Sequence, residues 1–158
     1  ARSKHNLKGV DAYPIFNIFL NPRWKFLSLR TDFRQDISGN GYGNSLKLNL
    51  GIGFPISLKY KIFGSIGPGV SFASEDRMRS YYAISAADSV KSGLPVHKVA
   101  AGIEQVGGSL AIVWVKDPYF LNAFTSVNTL VGDAASSPLI KNKIIIVSGL
   151  VFSYKWTF

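Results

Sequence analysis

The chain has 158 residues, enough for one domain, and no cysteine, which excludes a disulfide framework, a cysteine-based zinc site and a thiol nucleophile. Hydrophobic residues make up 47% and mean hydropathy is +0.16, yet no apolar run approaches the roughly 20 residues that a membrane-spanning helix needs. The net charge of +9, from 18 basic and 9 acidic residues, is spread singly along the chain and not grouped on a helix, which argues against nucleic acid as a partner.

A positive lumen or contact with acidic lipid headgroups is the more natural use of that charge. The opening Ala1-Arg2-Ser3-Lys4-His5 is charged with no apolar core behind it, so no signal peptide is read there, and the chain is expected to be processed, truncated or partly represented. Strand-period alternation then recurs. Residues 10–20 form the first expected strand, and a tight turn at Asn21-Pro22-Arg23 leads to a second over 24–34. In that second strand Leu27, Leu29, Thr31 and Phe33 oppose Ser28, Arg30, Asp32 and Arg34. Its polar face carries three charges at alternate positions, and Asp32 is expected to pair with the arginines or with charges on a neighbouring strand.

A long polar loop, 35–43, precedes a third strand over 42–54, where Leu46, Leu48, Leu50, Ile52 and Phe54 alternate with Ser45, Lys47, Asn49, Gly51 and Gly53. Phe54-Pro55-Ile56-Ser57 reads as a tight turn, and a fourth strand over 57–73 sets Leu58, Tyr60, Ile62 and Ile66 against Lys59, Lys61, Phe63 and Ser65. Further strands are expected over 77–85, 95–105, 108–116, 118–131 and 143–158, with a short helical turn within 85–94. Lys116-Asp117-Pro118 is a third tight turn, and 132–143 is a second long loop. Short turns alternating with long loops, and apolar-out, polar-in strands, are the marks of an antiparallel transmembrane β-barrel. On this reading Arg30, Asp32, Arg34, Lys47, Lys59 and Lys61 are the candidate lumen charges.

Nine strands are visible, an odd count for a fold that uses even ones. An odd number of strands is therefore expected to be missing before residue 10, three of a total of twelve. The alternative is a miscounted hairpin around Gln105 to Ser109.

The last strand places Ile144, Ile146, Ser148, Leu150, Phe152, Tyr154, Trp156 and Phe158 on one face. Aromatic rings collect at membrane–water interfaces because they tolerate both surroundings. A terminal Phe158 preceded by Trp156 and Tyr154 resembles the assembly signal that barrel-assembly machinery reads. Tyr82, Ser85-Ala86-Ala87 and Ser92-Gly93-Leu94-Pro95 resemble a signature of the MipA/OmpV family of outer-membrane proteins. So does the loop Gly132-Asp133-Ala134-Ala135-Ser136-Ser137-Pro138-Leu139, and Gly67-Pro68-Gly69-Val70 also fits. The likeness covers about residues 10–158, corresponding to the C-terminal two-thirds of a family member.

Catalytic and metal chemistry find little support. His5 and His97 have no carboxylate at metal-ligand spacing. Gly64-Ser65-Ile66-Gly67-Pro68-Gly69 lacks the Lys-Ser/Thr ending of a phosphate loop. Ser85, Ser89, Ser92, Asp88 and His97 are near in sequence, but a triad is defined by geometry, and a tight turn of small residues explains them better. No enzyme and no cofactor is expected. The resemblance implies a scaffold that links a lytic transglycosylase to a penicillin-binding murein synthase, with outer-membrane lipid around it. Contacts would use the periplasmic turns, 21–23, 54–57, 85–94 and 116–118, with 85–94 the best candidate. The other reading is a small anion-preferring channel, since rings of Lys and Arg favour anions. Adhesion through outer loops has no specific residue behind it.

Overall fold

The computed structural model describes Leu7 and residues 12–156. Seven long strands and one of two residues form a single antiparallel sheet. They are β1 Ile15–Leu20, β2 Arg23–Trp24, β3 Leu27–Asp36, β4 Asn44–Ser57, β5 Ile62–Ala73, β6 Gly102–Lys116, β7 Tyr119–Leu130 and β8 Ile144–Tyr154. The order is β1-β3-β4-β5-β6-β7-β8, with β2 pairing β3 just beyond β1. The sheet curls into a half-barrel of the all-β class. Three helices, α1 Glu75–Tyr82, α2 Ala86–Ser92 and α3 Gly132–Ser136, fill the connections β5–β6 and β7–β8. No helix among the described residues is long and apolar enough to cross a membrane.

The alternation in the sequence sets which face is which. Leu29 lies opposite Leu50, Ile52 opposite Ile66, Ile66 opposite Leu110, and Val127 opposite Ile146, so one apolar band runs across the sheet. This band is exposed: Leu50 at 42%, Ile146 at 66% and Leu150 at 69%. The polar face is the more shielded one, with Ser45, Ser71 and Asn128 buried. A water-soluble sheet would bury its apolar side. This one is inside out.

Among the described residues every tight hairpin lies at one end of the strands: Lys25–Phe26, residues 58–61, and Asp117–Pro118. The long connections, with all three helices, lie at the other. Four details differ from the sequence expectations. Among the described residues the count is eight, not nine, because two stretches do not form strands of their own and the two-residue β2 is added. Residues 77–85 fall largely in α1: Ser74 caps it by accepting a hydrogen bond from the Arg77 amide at 3.4 Å, and Glu75 and Asp76 occupy its positive first turn. Residues 95–105 are mostly irregular until Gly102, where β6 begins and runs unbroken through Gly107-Gly108 to Lys116. That glycine pair is no hairpin; a Cβ on Gly107 would overlap the backbone of Val127 and Asn128 on the neighbouring strand.

The fourth difference concerns the turn after β4. Pro55 and Ser57 remain in the strand, across a register shift that accommodates a residue without an N–H. The turn is displaced to 58–61, with Lys61 at φ 51°. Lys59 and Lys61 therefore sit at the hairpin tip and not on the polar face.

Gly67 marks the closest backbone approach in the sheet, since a Cβ there would overlap the carbonyl of Leu50. Gly67→Ala should force β4 and β5 apart and cost about 1–3 kcal/mol, as overpacking does. Urea unfolding of the detergent-folded protein measures this, and an unchanged midpoint would show that the sheet yields there at no cost.

Candidate functional site

The hydrophobic core lies at the helical end, where α1 buries Met78 and Tyr82 against Ala73 of β5, Leu130 of β7 and Ala134 of α3. Ala73 and Leu130 share the polar face with Ser45 and Gln105, so the helices cap that face at one end. A second cluster joins Leu7, Ile84 and Leu139, with Leu94 packed on it.

The residues singled out in sequence motifs build this cap. Ser85 is the N-cap of α2, its Oγ accepting the Asp88 amide at 3.1 Å; Ala86 and Ala87 begin the helix, and Gly93 ends it at φ 70°. The Ser92 hydroxyl donates to the Asp88 carbonyl at 2.7 Å, and the Ser89 hydroxyl to the Leu94 carbonyl at 2.6 Å, ahead of Pro95. The loop beginning at Gly132 (φ 55°) folds onto these residues. Ser137 Oγ donates to the Tyr82 carbonyl at 2.6 Å, with both residues buried. Asp133 accepts the Ala100 amide at 2.9 Å, and its carbonyl lies 2.9 Å from His97 Nε2. Ala134 is fully buried, while Pro138 turns the chain toward buried Leu139. The serines and His97 are thus engaged with backbone groups and form no nucleophile–base pair. Among the described residues no cluster of carboxylates, histidines and cysteines suits a metal.

Sequence reasoning missed the residue at the centre of the cap. Glu104 is only 2% exposed, at a register irregularity where Ser71 pairs with Gln105 and Phe72 with Ile103. Its Oε1 accepts the Tyr82 hydroxyl at 2.6 Å, and its Oε2 lies 3.4 Å from Arg77 Nε. Arg77 stacks over the Tyr81 ring at 4.9 Å, Tyr81 bonds Tyr13 at 3.1 Å, and the Tyr13 ring leans on Tyr42 at 4.6 Å. The signal was present in the sequence as a lone acid between apolar strand residues, Ile103 and Val106.

This environment keeps both phenols neutral. Burial first, and the adjacent Glu104 charge second, push the Tyr82 hydroxyl well above its ordinary range. Burial, then the bond with Tyr13, pushes Tyr81 up to about 12. Burial works against the Arg77 charge, but Glu104 outweighs it and the guanidinium is held protonated. The unfolded chain would lose its phenol protons near the ordinary value of 10.0, before the folded one does. Cap stability is therefore complete below about pH 10 and falls as pH rises toward 12. In an alkaline titration, phenolate absorbance should lag for these tyrosines until the cap opens; titration of all seven near pH 10 would contradict this placement.

The polar face of β3 and β4 holds a second charged group. Asp32 accepts hydrogen bonds from Asn17 Nδ2 at 3.1 Å and Arg34 Nε at 3.0 Å, and lies opposite Lys47; Arg30 lies opposite Asn49. Four of the six charges expected together share this face, and Lys59 and Lys61 do not.

At the turn end, Tyr154 packs edge-on against Tyr119 at 5.5 Å and Trp156 at 4.8 Å. Phe158 lies outside the described residues. All three tryptophans, Trp24, Trp114 and Trp156, are at this end.

A family model described as MltA-interacting protein MipA matches residues 4–156. No curated protein and no solved structure matches the chain.

Proposed function

Because this chain belongs to the MltA-interacting protein MipA family, we propose that it is a non-enzymatic outer-membrane β-barrel protein that serves as a scaffold for murein enzymes. The observation that carries the membrane part is the exposed apolar band facing away from a shielded polar face. Lipid, not water, is the solvent that suits that band. Assembly would follow recognition of the β8 end by barrel-assembly machinery, with Tyr154 and Trp156 as its aromatic features. The family description supports a lytic transglycosylase as one partner; a penicillin-binding protein is the second expected one.

The cap changes where such a partner could dock. Residues 85–94 form α2 and its C-cap, at the opposite end of the strands from the tight turns. They cannot share a surface with residues 58–61 or 117–118. If the short turns face the periplasm, as barrel turns do, a periplasmic enzyme meets hairpin tips. A stable interface of about 1,000 Å² would need several tips at once. Co-purification of the full-length protein with a purified lytic transglycosylase tests the scaffold reading. Loss of binding on substituting turn residues supports it, and binding that depends on α2 refutes this orientation.

A second reading is an anion-preferring channel, favoured by Arg30, Arg34 and Lys47 around Asp32 on the polar face. Anion-selective conductance steps in a planar bilayer would promote it; a silent bilayer would sink it.

A further inference from the structure

We propose that the short-turn end is a binding rim for the phosphate headgroups of anionic phospholipids. This rests on the membrane reading above and adds the lipid class and the residues that recognise it. Arg23, Lys25, Lys59, Lys61, Lys116 and Lys155 all lie at this end, with Asp117 the one acidic residue among them. All six are exposed, and among the described residues none forms an ion pair. The helical end is different: residues 36–43, 74–104 and 131–143 hold six basic and six acidic residues, and several of these neutralise one another, as Arg77 does with Glu104 and Arg79 with Glu75. The basic excess of the described chain is therefore concentrated at the turns.

Aromatic rings flank these cations. Lys25 Nζ lies 5.8 Å from the Trp24 ring centre, and Lys59 Nζ lies 5.4 Å from that of Tyr60. Phe26, Tyr119, Tyr154 and Trp156 are exposed at the same end. Rings of this kind settle at the boundary between acyl chains and headgroups, and long cationic side chains reach outward from there. Each ammonium is thereby held at the depth of lipid phosphates. The cations are spread over hairpin tips of two to four residues and not gathered on one surface, which suits many small headgroups arranged around the rim. The hairpin backbone favours the same arrangement: Lys25 and Lys61 both have positive φ (55° and 51°), and Lys155 is tied by its amide to the Pro118 carbonyl at 2.9 Å.

The position of the tryptophans makes the test local. The full-length protein is reconstituted in vesicles containing either brominated phosphatidylcholine or brominated phosphatidylglycerol, and tryptophan quenching gives the relative occupancy of each lipid. Phosphatidylglycerol should be preferred by about threefold or more at low salt, with the preference collapsing at high ionic strength. A Lys25→Gln/Lys59→Gln/Lys61→Gln variant should lose most of it, while Lys141→Gln/Lys143→Gln at the helical end should keep it. Equal quenching by the two lipids overturns the rim and leaves the membrane reading intact. No quenching by either lipid overturns both. If the preference survives in the triple variant but is abolished by Lys141→Gln/Lys143→Gln, the lipid site is at the wrong end and the proposal fails.

Discussion

Replacing Leu50 with arginine is expected to cost about 2–4 kcal/mol of stability in a bilayer, the range for a basic residue facing lipid near the midplane of a barrel. Leu50 stands halfway along β4, 42% exposed, opposite Leu29 of β3. Ile146, in the same apolar row through Val127, should respond in the same direction. Val147, one residue further along β8, points to the other face with Ser126, and Val147→Arg should be tolerated far better. Heat-modifiable gel migration gives the folded fraction, and urea unfolding in vesicles gives the size of the effect. Greater loss at position 147 than at 146 would mean that the faces are reversed, and equal tolerance would mean that neither faces lipid.

The second large effect is expected at the cap. Arg77→Met leaves the Glu104 carboxylate buried with the Tyr82 hydroxyl but without its cation. Breaking a buried pair on one side costs about 3–5 kcal/mol. Arg77 retains 21% side-chain exposure, so water screens part of this and the lower end of that range is expected. Removing the whole polar group with Arg77→Met/Glu104→Leu/Tyr82→Phe should recover much of the loss, because no buried partner is left unmatched. The readouts are the urea midpoint and limited proteolysis between residues 74 and 101. If the triple variant is no better than the single one, Glu104 is not held by these two partners.

Much of the sheet was legible, because alternation has a period of two and any surface buried on one side writes it into the chain. Leu46 to Phe54 and Ile144 to Tyr154 are assigned to the correct faces on that basis alone. The same periodicity misled at 58–66. Leu58, Tyr60 and Ile62 keep the beat across a four-residue turn, and a lysine at positive φ carries no signal of its own. The strand expected over 77–85 is instead largely helix α1, for which Ser74-Glu75-Asp76 is a start signal. The motif residues were recognisable as a pattern, but their task was not. Tyr82 and Ser137 are 55 residues apart, and only the fold shows that one hydroxyl closes the cap on the other's carbonyl.

That separation bears on the order of events during folding. The bonds from Ser137 to Tyr82 and from Asp133 to Ala100 join segments on either side of β6 and β7. Neither can form until both strands have been laid down and α3 has been carried back over α1. Contacts of long sequence separation are entropically expensive to make early. Closure of the cap is thus expected to come after the sheet has grown past β7, so that Ser137→Ala speeds unfolding and leaves the refolding rate nearly unchanged. A slowed refolding rate would place the cap in the nucleus instead. On this view the cap acts as a latch, set only on a sheet that has been completed beneath it.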